Sequence, residues 1–263
     1  DAPFRVPKGL WCYHLDRHRV VLGGALTDGG SAFEWLRSTL ALHPGCDTDA
    51  VMREAEEMPP ASHRLVVLPF FSGERSPGYN DDATACILGL RRSTTRAQLV
   101  RAVLESICLR LSVIVDLMSG AGALGDGGDD DQGRAADEGS EFSTTAALLD
   151  RRNGGAEVVT SGNAFAGSPF LRKILAGSLG RTVRSSGETE ETPLGVALLL
   201  SSLEGQEAWP RAIGRDSTCK VSAEAAAKVA AAATAVHTPD EASCRLYGEA
   251  RAAQQRAYGA IYG

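Results

Sequence analysis

Apolar runs that lead through a turn into a helical repeat recur along this chain, and that alternation constrains its fold more than any other feature. Arg64–Pro69 (RLVVLP) and Ala85–Leu90 have the continuous apolar character of buried strands. Thr95–Met118 follows as the longest predicted helix, with Leu99, Val103, Leu104, Ile107 and Leu111 recurring on one side. Further on, Glu157–Thr160 predicts a strand, Ser168–Leu179 a helix, Arg181–Ser185 a short strand and Thr192–Leu203 a helix. Ser222–Ala235 predicts an Ala-rich helix and Pro239–Tyr262 a final amphipathic one. Upstream, Leu10–Leu15 and Arg19–Leu26 read as two strands of an antiparallel hairpin turning at Asp16–His18. Ala32, Phe33, Leu36 and Leu40 predict a helix over Ser31–Leu42, and Asp47–Glu57 a second one stopped by Pro59 and Pro60. Such alternation builds an α/β layered domain, which by itself fixes no function.

Two strand-to-helix turns in this pattern carry glycine. Thr160-Ser161-Gly162-Asn163-Ala164 is one, and Thr27-Asp28-Gly29-Gly30 is the other. A position without a side chain lets backbone approach a planar ligand, and the helix start that follows offers unpaired N–H groups. An ordinary strand-to-helix connection has the same sequence pattern, so spacing alone leaves both readings open. Neither turn matches the P-loop or the G-x-G-x-x-G fingerprint.

Charge excludes several partners. Seven acids between Gly120 and Thr145 stand against Arg134 alone, and this segment accounts for the whole formal charge of −6 across 263 residues. The balanced remainder, with no basic stripe, argues against nucleic acid or an anionic membrane as a partner. No apolar run is long enough to cross a bilayer. Gly120–Ser140 is Gly/Asp-rich and predicted to be a disordered insertion within one domain. The six cysteines are scattered without C-x-x-C pairing and are expected to be reduced, packing as small core residues. Without a methionine or a charged-then-apolar leader, Asp1 reads as the edge of a processed or truncated chain, and a cytoplasmic location is the expectation.

Ala85-Cys86-Ile87-Leu88-Gly89-Leu90, seven residues and then Gln98–Glu105 (QLVRAVLE) resemble the second signature of the FGGY carbohydrate kinases. Leu68–Pro77 (LPFFSGERSP) is similar to that family's LPxxxGERxP segment, Ser161–Leu179 to its SGG…SP…ILA..LG segment, and Pro193–Ala197 to the start of its xxLGAA helix. Trp11–Arg37 is similar to the hairpin and helix that open the family's C-terminal lobe.

The resemblance implies a ribonuclease-H-like lobe of the actin and hexokinase type, a mixed sheet flanked by helices. It spans 1–263 as one ATP-binding domain, with the N-terminal sugar-binding lobe absent. It further implies an ATP-dependent carbohydrate kinase, with adenosine against Ser161, Gly162, Asn163 and Ala164, and with Gly29, Gly30 and Glu34 near the nucleotide. Glu34 stands where glutamine is common; a carboxylate accepts from a ribose hydroxyl but repels phosphate. Asn163 stands where a second glycine is usual, and Asn tolerates a left-handed backbone. ATP and Mg2+ are the implied cofactors, the metal held mainly with the missing lobe, and the carbohydrate is implied to bind through that lobe. The catalytic aspartate belongs there too, so no catalytic residue and no metal ligand are assigned within this chain. The alternative is a non-catalytic module that binds nucleotide or docks to a separate lobe.

Weaker features have plainer readings. His14 and His18 straddle a turn, where four-residue spacing makes no metal site. Glu74-Arg75 reads as an ion pair bracing its loop, with a contact to the opposite lobe as the other option. Asp126–Asp131 lacks the ligand spacing of a calcium loop.

Overall fold

Hydrophobic alternation and local capping account for most of the elements in the computed structural model, which describes residues 5–14, 20–40, 45–120, 158–186 and 235–263. The expected hairpin forms: β1 (Trp11–His14) pairs antiparallel with β2 (Val20–Gly23), Tyr13 opposite Val21. Helix α1 (Gly30–Leu40) buries Ala32 and Leu36, which lie one turn apart on the face toward the core. Phe33, expected on that face, is rotated away and 38% exposed. Helix α2 (Thr48–Glu57) starts where Asp47 accepts the Ala50 amide at 2.9 Å, a side-chain cap that satisfies an otherwise orphan donor.

Strands β3 (Val66–Leu68) and β4 (Cys86–Leu88) pair antiparallel, and α3 (Arg96–Gly120) follows. After it come β5 (Val158–Thr160), the four-residue α4 (Asn163–Ala166), α5 (Pro169–Leu179) and β6 (Val183–Ser185). Ser168 caps α5 by accepting the Leu171 amide, Pro169 occupies its first turn, and Gly180 closes it in the left-handed region. β6 is the middle strand of a mixed sheet, parallel to β5 and antiparallel to β7 (Ala235–His237). The chain ends in α6 (Glu241–Tyr262), capped by Asp240.

Ala235 is not the end of an Ala-rich helix but the first residue of β7, paired with Ser185. The Asp16–His18 turn, the helix over Thr192–Leu203, the Pro193–Ala197 segment and the rest of the Ser222–Ala235 helix lie outside the described residues. So does the acidic segment beyond Gly120, to which α3 extends.

Helix α3 is the centre of the layer. One of its faces (Ala97, Val100, Leu104, Cys108) packs with Phe170, Ile174 and Leu175 of α5 and Tyr247 of α6. The neighbouring face (Ala102, Val103, Ile107) packs with Ala32 and Leu36 of α1 and with Leu65 and Val67. The two glycine turns are therefore carried over different faces of one helix.

Candidate functional site

The first turn is held from beneath. Asp28 is 3% exposed and accepts three hydrogen bonds: from the Ser31 hydroxyl at 2.8 Å, the Ser72 amide at 2.7 Å and the Ser72 hydroxyl at 3.2 Å. It ties the start of α1 to the loop after β3, and the Trp35 ring packs on Phe71 of that loop at 4.6 Å. Gly29 and Gly30 follow directly and are exposed, with no atom within 4 Å of where a side chain would begin. Glu34, one turn on, is also exposed and receives two hydrogen bonds from Arg37, at 3.0 and 3.1 Å. That pairing offsets part of the carboxylate charge expected to oppose a phosphate.

The loop that grips Asp28 is itself braced. Glu74 is 2% exposed and pairs with Arg110 of α3 and with the Tyr258 hydroxyl of α6 at 2.7 Å. The Arg110 guanidinium also lies over the Phe70 and Tyr258 rings, at 5.3 and 5.1 Å. Burial pulls Arg110 below the usual arginine range, and the Glu74 charge opposes that pull. The expected Glu74–Arg75 pair is thus replaced: Glu74 points inward to Arg110, while Arg75 is exposed. Ser76 adds two bonds to Ala25, amide to carbonyl at 2.9 Å and hydroxyl from the Ala25 amide at 3.1 Å.

The charged residues of QLVRAVLE, Arg101 and Glu105, are also internal. Glu105, 1% exposed, accepts from Arg101 at 2.6 Å, from Tyr247 at 3.2 Å and from the Ala61 amide at 3.2 Å. His63 Nδ1 accepts the Leu65 amide, so its Nε2–H donates to Glu105 at 2.9 Å. Arg101 further caps the end of α2 by donating to the Ala55 and Glu56 carbonyls. This stretch knits α2, α3 and α6 together; its charges face no solvent.

The second turn begins at a locked strand end. Buried Thr160 donates its hydroxyl to the Arg184 carbonyl at 3.1 Å, and its own carbonyl accepts the Ser186 amide at 2.8 Å. Ser161, Gly162 and Ala164 are exposed. The left-handed position is Gly162, at φ +80° with open space on its side-chain side; Asn163 is already the first residue of α4. The glycine thus sits where the backbone requires it, and the tolerance of Asn for that conformation is not called upon.

Gly29, Gly30 and Glu34 therefore cluster at the start of α1, and Ser161–Ala164 at the start of α4. The residues that sequence reasoning missed are those beneath them: buried Asp28 and Arg172, and exposed Ser72; Arg172 reaches the Phe165 carbonyl. Among the described residues no group of three or more His, Cys, Asp or Glu could hold a metal, and His18 lies outside them. Cys12, Cys46, Cys86, Cys108 and Cys244 are free thiols, while Cys219 lies outside the described residues. No described helix is long and apolar enough to cross a membrane.

Comparison with known proteins agrees with this architecture. The model of the FGGY family of carbohydrate kinases, C-terminal domain, matches residues 7–204. A gluconokinase of Bacillus licheniformis is 30% identical over 123 residues, covering 43% of this chain and 24% of that protein. The gluconate kinase of Lactobacillus acidophilus superposes with a TM-score of 0.67 at 19% identity, over 97% of this chain and 44% of the other. Plasmodium falciparum glycerol kinase with ADP superposes with a TM-score of 0.62 at 19% identity, over 98% of this chain and 44% of the other. The chain thus spans less than half the length of these relatives, and the fold it shares is that of the actin- and hexokinase-like kinases.

Proposed function

The chain belongs to the FGGY family of carbohydrate kinases, and from that premise we propose that it is the ATP-binding part of an enzyme that transfers the γ-phosphate of ATP to a hydroxyl of a sugar, sugar acid or polyol. The observation that carries this reading is the Ser161–Ala164 turn. It leaves a locked strand end, passes through a glycine at φ +80° with nothing over its side-chain face, and enters a helix. A flat, uncovered backbone surface of this kind suits a purine ring. Gly29 and Gly30 offer a second uncovered stretch of backbone, and Glu34 can accept from ribose hydroxyls while Arg37 tempers its charge.

We read residues 1–263 as one lobe, with the acidic segment at about 120–140 as an insertion. The catalytic aspartate, the sugar contacts and most of the Mg2+ coordination are assigned to a second lobe. Phosphoryl transfer needs nucleophile, phosphates and metal positioned together, so this chain alone should transfer no phosphate. A cytoplasmic setting follows from the same reading. Gluconate-like acids and glycerol-like polyols head the substrate panel because named relatives act on such compounds.

Titration with ATP and ADP, followed by amide chemical shifts, tests the site. The expected perturbations gather at Gly29, Gly30, Glu34 and Ser161–Ala164, with affinity near millimolar, about −4 kcal/mol. Perturbations clustered elsewhere would overturn the site assignment. Robust phosphorylation of any sugar by the isolated chain would overturn the division of labour between lobes.

A further inference from the structure

The four-residue α4 cannot sustain itself, because helix nucleation is costly and its terminal carbonyls have no intrahelical partner. Its Phe165 carbonyl is met by two donors: the Ser168 amide, at a long 3.4 Å, and the Arg172 guanidinium. Arg172 is 5% exposed, a depth at which a guanidinium is costly unless its donors are matched. Its Nε donates to His237 Nε2 at 3.1 Å, so one side chain of α5 joins the end of α4 to β7. Upstream, the same turn is locked by Thr160 to β6. Between these two fixings lie the four residues Ser161–Ala164 of the turn and the helix start.

We infer that Arg172 is a positioning residue for the nucleotide turn, fixing Ser161–Ala164 through the Phe165 carbonyl and steadied by His237 as its acceptor. This rests on the reading of that turn as the adenosine site. His237 can accept only with an unprotonated Nε2. The charged residues on the elements packed against β7 are Arg172 and Lys173 of α5, and Arg184 of β6, which stands opposite Val236. Burial first, then the charges of Arg172 and Lys173, hold the imidazole below its ordinary value. The acceptor is therefore intact at neutral pH and lost only as pH falls through that depressed value, when an imidazolium would face the guanidinium.

The test compares the parent with Arg172→Met, Arg172→Lys and His237→Gln by amide spectra, first without ligand and then with ADP. Arg172→Met should shift or broaden Ser161, Gly162, Ala164 and Phe165 while leaving α3 resonances in place, and weaken ADP about tenfold, the loss of one charged hydrogen bond. Arg172→Lys should recover part of that loss. Lowering the pH stepwise from about 7, until His237 takes up its proton below the ordinary imidazole value, should loosen the same four amides in the parent. His237→Gln keeps an acceptor that does not titrate, so it should remove this pH response. Unchanged turn resonances in Arg172→Met, or a pH response that survives in His237→Gln, would overturn the inference. Should Arg172→Met not fold, the lysine and glutamine variants decide by the same amides. If the parent binds no ADP, the nucleotide reading fails, while the ligand-free spectra still decide whether Arg172 holds the turn.

Discussion

Ser72 gives both of its donors to Asp28, the amide at 2.7 Å and the hydroxyl at 3.2 Å, and so fastens the loop after β3 beneath the Gly29–Gly30 turn. Asp28→Ala removes the acceptor of the Ser72 amide and of the Ser31 and Ser72 hydroxyls; because both serines reach solvent, the loss should be about 1–2 kcal/mol in unfolding free energy. Asp28→Asn retains an accepting oxygen and should cost less. Urea denaturation of the three proteins checks the order, and an Asp28→Ala protein as stable as its parent would show that the loop is held by other means.

How far the sequence announces this arrangement depends on distance along the chain. Helix starts were legible because their caps are local: Asp47, Ser168 and Asp240 each accept from an amide three residues on. The two glycine turns were legible for the same reason. Strand β7 was not, since Ala235–His237 is a strand only because β6, some fifty residues earlier, offers it an edge. The true partner of Glu74 was hidden in the same way. Arg75 adjoins it in sequence, but Arg110 lies across from it in space, where its guanidinium also stacks over Phe70 of the loop. The signature residues Arg101 and Glu105 were recognisable as a pattern, yet their task of joining α2, α3 and α6 becomes visible only once Tyr247 and His63 arrive.

Glu74→Gln and Arg110→Met should each be severe, by about 3–5 kcal/mol, because each leaves a buried charge without its counterpart. The double variant should lose clearly less than the sum, since both charges are then gone. Arg75→Ala, at an exposed position, should stay within about 0.5 kcal/mol of the parent. Thermal and urea unfolding of the four proteins measure these differences. A severe Arg75→Ala beside a mild Arg110→Met would reverse the assignment of the ion pair.

Tyr258 predicts an alkaline limit to stability. Burial, then the hydrogen bond to Glu74 and its charge, push the phenol up to about 12 from an ordinary 10.0. A raised value means the folded state keeps its proton where the unfolded chain has released it. The contribution is therefore complete below about pH 10 and is lost as pH rises through about 12. Unfolding free energies compared between pH 9 and pH 11.5 should fall more steeply in the parent than in Tyr258→Phe, where this group no longer titrates. Equal slopes would mean that neither burial nor Glu74 raises the Tyr258 phenol in solution.

The sharpest test of the proposed site is Gly162→Val. At φ +80°, any branched side chain is strained, by about 1–3 kcal/mol, although no neighbouring atom lies within 4 Å of its first carbon. The strain falls on an exposed turn between two independently fixed ends, so the domain should remain folded while the flat surface is lost. ATP and ADP binding should then disappear, with α3 and α6 resonances unchanged. Gly162→Asn separates the two causes, because asparagine accepts the left-handed backbone with little strain but still projects a side chain over the surface. If crowding of the base is what matters, Gly162→Asn binds as poorly as Gly162→Val; if backbone strain is, it binds nearly as well as the parent. Asn163→Gly approaches from the other side: it removes a side chain next to the turn and should strengthen binding, at a helix-propensity cost of several tenths of a kcal/mol in α4. Unimpaired ATP binding by Gly162→Val would place the nucleotide somewhere other than this turn.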